Sequence, residues 1–443
     1  MTGARIGLFA AAAVLLAFIA GAGATEAPYT VGWRQQFGSA ADDQAHAVSV
    51  DAAGNIYMAG YTKGALAEGP SAGLNDAFLA KYSAAGTLQW TAQLGTSSDD
   101  YARGVAVDAG GNVYVAGYTY GNLAGRVGNY DAFLTKYNAD GVSQWTQQVG
   151  TTAADTGCAI TLDGASGVYL TGDTRGGLSG TNAGQNDAHL IKYSADGAWQ
   201  WSRQLGSSLY DYSYGAAASG SGIYIAGYTS DALPGQTSAG NYDAYLARYD
   251  ANGTLAWTRQ MGTTGTERGF ALAADGAGGV YLAGQTDGAM NGTNAGDFDI
   301  FLARIDESGT RTWTRQAGST LWDRALGVAA DSAGNVYLTG ETNGALAGDS
   351  AGYADAVLLK YSALGDPLWA AQLGTASQDE AHAIAVAAPD RIYIAGLTLG
   401  DLSGTGSYGS TDAFLIQFVP EPATLALLFL ALAGLPRRGR VGR

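Results

Sequence analysis

Seven tryptophans recur along this chain at nearly constant spacing: Trp33, Trp90, Trp145, Trp201, Trp257, Trp313 and Trp369, with gaps of 55 to 57 residues. Each opens the phrase W-x-x-Q-x-G, and Gln and Gly are present in all seven copies, from Gln36 and Gly38 to Gln372 and Gly374. One period contains four runs of strand character. In the second copy these are Ala102–Val107, Val113–Tyr118, Ala132–Tyr137 and Gln144–Val149. Turn-forming residues separate them, Asp108-Ala109-Gly110-Gly111-Asn112 after the first and Asn138-Ala139-Asp140-Gly141 after the third. A fixed period near 50 that repeats four antiparallel strands predicts an all-β chain, a single seven-bladed β-propeller. The repeat runs unbroken from Trp33 to Phe418, so one closed array replaces the two or three domains that 443 residues would otherwise imply.

The phase of the repeat predicts how the ring closes. The array begins with a Trp strand, Val31–Phe37, and ends with the strand Asp412–Phe418, so the last copy lacks its own Trp strand. Val31–Phe37 is therefore expected to complete the last blade, removing two open edges. From the axis outward the order would be the Ala102 type, the Tyr114 type, the Phe133 type, then the Trp type. Small residues at alternate positions of the first type, such as Ala45, Ala47 and Ser49 or Ala381, Ala383 and Ala385, suit the crowded innermost place.

Composition agrees and narrows the partners. Gly is 67 of 443 residues and Pro only 8, beside 26 Tyr and 9 Trp, which suits short strands and tight turns rather than disorder. The formal charge is −16, and without Arg5 and the four arginines after position 436 the body carries about −20. Such a body repels nucleic acid and anionic lipid. One cysteine, Cys158, excludes an internal disulfide and cysteine-rich zinc sites.

The two ends read as addresses. Residues 1–24 carry Arg5, an apolar stretch Ile6 to Ile19 and the small-residue site Ala22-Gly23-Ala24, the pattern of a cleaved secretory signal. At the other end Val419-Pro420-Glu421-Pro422-Ala423-Thr424 leads into the apolar run Leu425–Leu435 and then Arg437-Arg438-Gly439-Arg440. The run is short for a stable span, and its basic end would stay cytoplasmic. A short apolar helix is expected at each unprocessed end, with residues 25–418 as the propeller and 419–443 as a tail.

This tail resembles the PEP-CTERM sorting signal of Gram-negative bacteria, with Pro420, Glu421 and Pro422 as its motif. The resemblance implies transient contact with the inner membrane, cutting by an exosortase near the motif, and display at or release from the cell surface. It also implies exopolysaccharide as an associated component. The alternative is a permanent C-terminal anchor. The repeat region, through Gly111–Thr119 (G-N-V-Y-V-A-G-Y-T) and Asp131–Tyr137 (D-A-F-L-T-K-Y), resembles the SBBP propeller repeats of bacterial surface proteins. That family implies fold and surface exposure and no settled chemistry.

Two acidic rings recur in every copy. One is Asp76, Asp131, Asp187, Asp243, Asp299, Asp355 and Asp412, opening the third strand; the other is Asp43, Asp100, Asp155, Asp211, Glu267, Asp323 and Asp379, entering the inner strand. A residue required in every blade is expected to serve every blade, by accepting backbone N–H groups at loop ends. The second ring lies where loops approach the channel and is the candidate for a cation ring. No copy has the spacing of a calcium loop, and no metal or cofactor is otherwise implied. His189 stands where Phe133 stands in its copy and is expected to pack there. His46 and His382 share one repeat position with Arg103, Cys158, Tyr214, Phe270 and Leu326, and this variety reads as tolerance; Cys158 reads as a small buried residue. Single departures from the repeat, Tyr210, Tyr212, Trp322 and Tyr353, are the candidates for a ligand face, on the side of the long loops.

Two functions compete. The first is a non-enzymatic, monomeric surface or matrix protein that binds polysaccharide or other envelope components; the second is a propeller-type glycan lyase or hydrolase. No G-x-S-x-G, H-E-x-x-H or phosphate loop occurs, and nearly identical blades argue against catalysis. A polar pair confined to one or two blades at the channel mouth would favour the enzyme.

Overall fold

Alternation of apolar and polar residues over seven to nine positions makes each run of the repeat a strand with two packed faces. In the computed structural model, which describes residues 29–66, 71–387 and 391–421, these strands form seven four-stranded antiparallel sheets. The expected signal segment, Pro422 of the sorting motif, the run Leu425–Leu435 and the helices expected at both ends lie outside the described residues. Among the described residues no helix is long and apolar enough to cross a membrane.

The first sheet shows the order: β2 (Asp43–Val50), β3 (Ile56–Thr62), β4 (Asp76–Tyr82) and β5 (Leu88–Leu94), each hydrogen-bonded to the next. The innermost strands pack on one another around the axis, as the sequence order predicts. The seventh sheet is closed by β1 (Tyr29–Phe37), which pairs with Asp412–Pro420 in the register Val31 to Phe418 and Phe37 to Ala413. The expected clasp is present, and it is longer than the sequence predicts by two residues at each strand's outer end.

The conserved letters of the repeat each hold a contact. The Gln of W-x-x-Q-x-G donates from the outer strand to the Asp that opens the third strand: Gln93 to Asp76, Gln148 to Asp131 and, across the clasp, Gln36 to Asp412, at 2.6–2.9 Å. The Gly two residues on leaves room for that carboxylate, since a Cβ on Gly95 would stand 2.0 Å from Asp76 Oδ1. The Trp reaches the neighbouring blade. Trp90 Nε1 donates to Ala139 O at 3.2 Å, and its ring lies under Gly141, where the turn has a positive φ of 81°. Trp369 has no such turn to reach because the chain enters and leaves there. Tyr29 fills the place, 5.3 Å from Trp369 between ring centres, with its hydroxyl near Lys360 Nζ and Tyr337 Oη.

One irregularity matters for function. Six inner strands carry a β-bulge, at His46, Arg103, Tyr214, Phe270, Leu326 and His382. In the third blade the ladder starts only at Ala159, and Cys158 occupies the same place. A bulge leaves one residue unpaired and re-aims its side chain. It also brings the inner strand against its neighbour: a Cβ on Gly117 would sit 1.9 Å from Tyr101 O, which is why A-G-Y-T keeps its glycine.

Candidate functional site

The six bulge residues and Cys158, which holds the equivalent place, form the floor of a cavity of about 560 Å³ at the mouth of the central channel. His46, Arg103, Cys158, Tyr214, Phe270, Leu326 and His382 all line it. The variety at this repeat position, which reads as tolerance in the sequence, is variety at a place where every blade faces the cavity. The signal was available: a single position that takes His, Arg, Cys, Tyr, Phe and Leu while its neighbours stay alike is a position released from packing. Cys158 is half-buried and faces the cavity rather than the core, and burial pushes its thiol up to about 12, so it is a thiol and no nucleophile at neutral pH.

Above this floor the residues beside the acidic ring form the wall. From the seventh blade through the first to the second the rings run in unbroken contact: His382 stacks on His46 at 4.8 Å, His46 on Tyr61 at 5.7 Å, and Tyr61 meets Tyr101 at 5.0 Å. Tyr101, Tyr118, Tyr120 and Tyr130 continue the line. A second arc, Tyr210, Tyr212, Tyr214, Tyr228 and Phe270, occupies the fourth and fifth blades. Between the arcs the third blade places Asp173, Arg175 and Asn186, with Asn186 and Thr156 both donating to Asp173 at 2.6–2.7 Å. His189 is buried, as expected, and one ring nitrogen meets Thr156 O at 2.7 Å.

The sixth and seventh blades carry charge. Arg324 pairs with Glu341 at 2.6 Å and Glu380 at 3.2 Å, and His382 Nε2 lies 2.9 Å from Glu380. Burial and the neighbouring Glu380 push Glu341 up to about 7. Glu380 goes the other way, down to about 2, because its bonds to His382 and Arg324 outweigh burial. Burial, with Arg103 and His382 nearby, holds His46 well below the ordinary histidine range.

The candidate residues of the sequence are distributed unevenly. Of the ligand-face set, Tyr212 lines the cavity and Tyr210 stacks beside it, 6.1 Å away and 37% exposed. Trp322 is 40% exposed on the rim over Phe298, whereas Tyr353, 73% exposed, is outside the cavity lining. The candidate cation ring is fully buried. Each member accepts a backbone N–H four residues upstream at 2.6 Å, from Ser39, Thr96, Thr151, Ser207, Thr263, Ser319 and Thr375. A Thr hydroxyl at the end of the second strand donates as well, Thr286 to Glu267 at 2.7 Å for example. One member per blade, each engaged in its own loop, leaves the carboxylates apart; among the described residues no three His, Cys, Asp or Glu side chains gather to hold a metal. The other ring binds loop and outer strand together, as described above.

Four segments, residues 32–66, 89–124, 144–178 and 312–346, match the SBBP beta-propeller repeat. The chain is 27% identical over 296 residues to the regulatory protein FlaEY of Caulobacter vibrioides, covering 58% of this chain and 30% of that protein. It is 23% identical over 375 residues to an uncharacterized WD repeat-containing protein of Acanthamoeba polyphaga mimivirus, covering 74% of this chain and 26% of that one. It therefore spans less than a third of the length of either relative. A solved structure of a puromycin hydrolase mutant complexed with PGG aligns over 85% of this chain and 54% of its own, at 16% identity and a TM-score of 0.49. The chain carries SBBP beta-propeller repeats, assembled into seven four-stranded blades.

Proposed function

We propose that this is an exported surface or extracellular-matrix protein that binds polysaccharide at the mouth of its central channel, without catalysing a reaction. The observation that supports this reading most is the cavity itself: a rigid ring presents two arcs of half-buried tyrosines beside polar groups. Flat aromatic faces next to fixed hydrogen-bonding groups suit sugar rings. Export and surface display rest on the signal-like residues 1–24 and on the tail that resembles a PEP-CTERM signal, with an exosortase-type enzyme as the processing partner.

A second reading, a glycan lyase or hydrolase, is favoured by the Arg324–Glu341–Glu380–His382 group, which is confined to two blades. It stands second because the members of the group are already paired with one another. One assay separates the two. The full-length protein is incubated with polysaccharide from a native matrix, and retention and newly formed chain ends are both measured. Retention that is lost in Tyr212→Ala, without chain cleavage, supports binding alone; cleavage that is lost in Glu341→Gln supports the enzyme, and neither signal rejects both.

A further inference from the structure

The body of the chain has only 18 basic residues outside the two ends, and several of them tie one blade to the next. Lys81, Lys136 and Lys192 donate to turns of the next blade, at 3.0–3.1 Å. Arg203, Arg259 and Arg315 stack on their blade's Trp and donate to the next blade's turn at 2.6–2.9 Å. Arg248 and Arg304 pair with Glu307 and Asp275. Four others, Arg103, Arg175, Arg268 and Arg324, occupy no such position and surround the channel mouth. Arg268 shares the repeat position of Tyr212 and Arg324, which line the cavity.

Arg324 is paired with Glu341 and Glu380, and Arg103 reaches the His46 ring and Tyr118 Oη. Among the described residues no carboxylate is within ion-pair distance of Arg103, Arg175 or Arg268. Arg268 lies over the rings of Tyr228 and Tyr242, at 5.3 and 5.0 Å, and its buried Nε has no acceptor. Directly across the ladder stands Gln285, 1% exposed, whose Nε2 also has no acceptor. Two buried donors side by side without acceptors call for a ligand that brings acceptor oxygens, because a buried donor left unmade costs free energy. On a chain of net charge −16, unpaired arginines gathered at one mouth select for negative charge locally.

We infer that the channel mouth recognises acidic polysaccharide, the carboxylates of its uronic acid units seating on Arg268, Arg175 and Arg103 while the sugar faces lie on the tyrosine arcs. This rests on the polysaccharide reading above and adds the charge of the glycan to it. A planar carboxylate matches the donor fork of a guanidinium, and the tyrosines beneath Arg268 hold that fork in place. The cavity falls in the size range of small-ligand sites, so it takes one or two sugar units and leaves the rest of the chain outside.

The test uses the full-length protein and three oligosaccharides of equal length: oligogalacturonate, its methyl ester and a neutral glucan. Oligogalacturonate is expected to bind at least about tenfold more tightly than the ester, with the preference shrinking as salt rises. Arg268→Gln and Arg175→Gln are each expected to erase most of that preference at an unchanged melting temperature. Arg175 sits beyond the strand end, so its variant keeps the test open if the Arg268 variant does not fold. Equal binding of acid and ester overturns acid recognition and leaves sugar binding standing; a full preference in both folded variants overturns the seating of the carboxylates on Arg268 and Arg175. Binding of none of the three overturns both.

Discussion

Glu341 and Glu380 lie in one buried network yet are driven in opposite directions, and their pH signatures differ in sign. Glu341 holds its proton up to about 7, against 4.5 for an ordinary glutamate, so folding with it neutral is favourable below 4.5 and that advantage is lost as pH rises through 7. Glu380, brought down to about 2, contributes stability that is complete above 4.5 and is lost as pH falls toward 2. Glu341→Gln is therefore expected to melt higher than wild type above pH 7, with the gain vanishing below 4.5. Glu380→Gln is expected to melt lower above pH 4.5, with the deficit closing toward pH 2. Melting curves across that range check both; parallel wild-type and Glu341→Gln curves would show that Glu341 titrates as an ordinary glutamate. None of this coupling is legible in the sequence. Glu341 and Glu380 are 39 residues apart, and what joins them, Arg324, is an unremarkable letter in a variable column. The third-strand acidic ring is legible for the opposite reason: in six copies its Gln partner lies at a fixed offset, as Asp131 and Gln148 do at 17 residues, and only Asp412 finds its Gln36 across the clasp.

Among the elements, the strand Tyr29–Phe37 is the one that closes the ring, and its removal bares an edge of the seventh sheet. It covers the outer edge of Asp412–Pro420, donates Gln36 to Asp412 and puts Tyr29 beneath Trp369. Deleting residues 25–38 is expected to lower the melting temperature sharply and to promote aggregation through the bared edge. Thermal scans with light scattering measure both, and a truncated protein that melts like the intact one would refute the role of the clasp. The pairing was legible because counting strands left one over at each end of the array. The bulge at His46, Arg103 and their counterparts was not, because its mark is a close backbone approach to Gly60, Gly117 and equivalents, which only the folded ladder shows. In the sequence those glycines are plain letters of a strand, so the alternate small residues mark the crowded face and the variable residue between them reads as tolerance.

At the scale of the whole molecule, Pro420 ends the last strand opposite Tyr29, and Glu421 is the first residue past it. If the tail is a sorting signal, intact-mass analysis of protein taken from the native surface is expected to lack Leu425–Arg443. Mature protein that keeps Arg443 in the inner membrane would establish a permanent anchor instead. The seven blades and their closure were legible in the period alone, whereas the cavity depends on which side chains seven separate blades bring to one axis. The seam also sets a clock. Val31 meets Phe418 only after 386 intervening residues have been made, and bringing such distant partners together is slow. Six blades form from neighbouring segments, but the first strand waits, unpaired, until the last strand of the seventh has been made. The stretch that completes the ring immediately precedes the proposed cutting site, so if the tail is cut there, annealing of the two ends and severance compete in time, and whichever is faster would decide whether the ring is closed or open when the tail is lost.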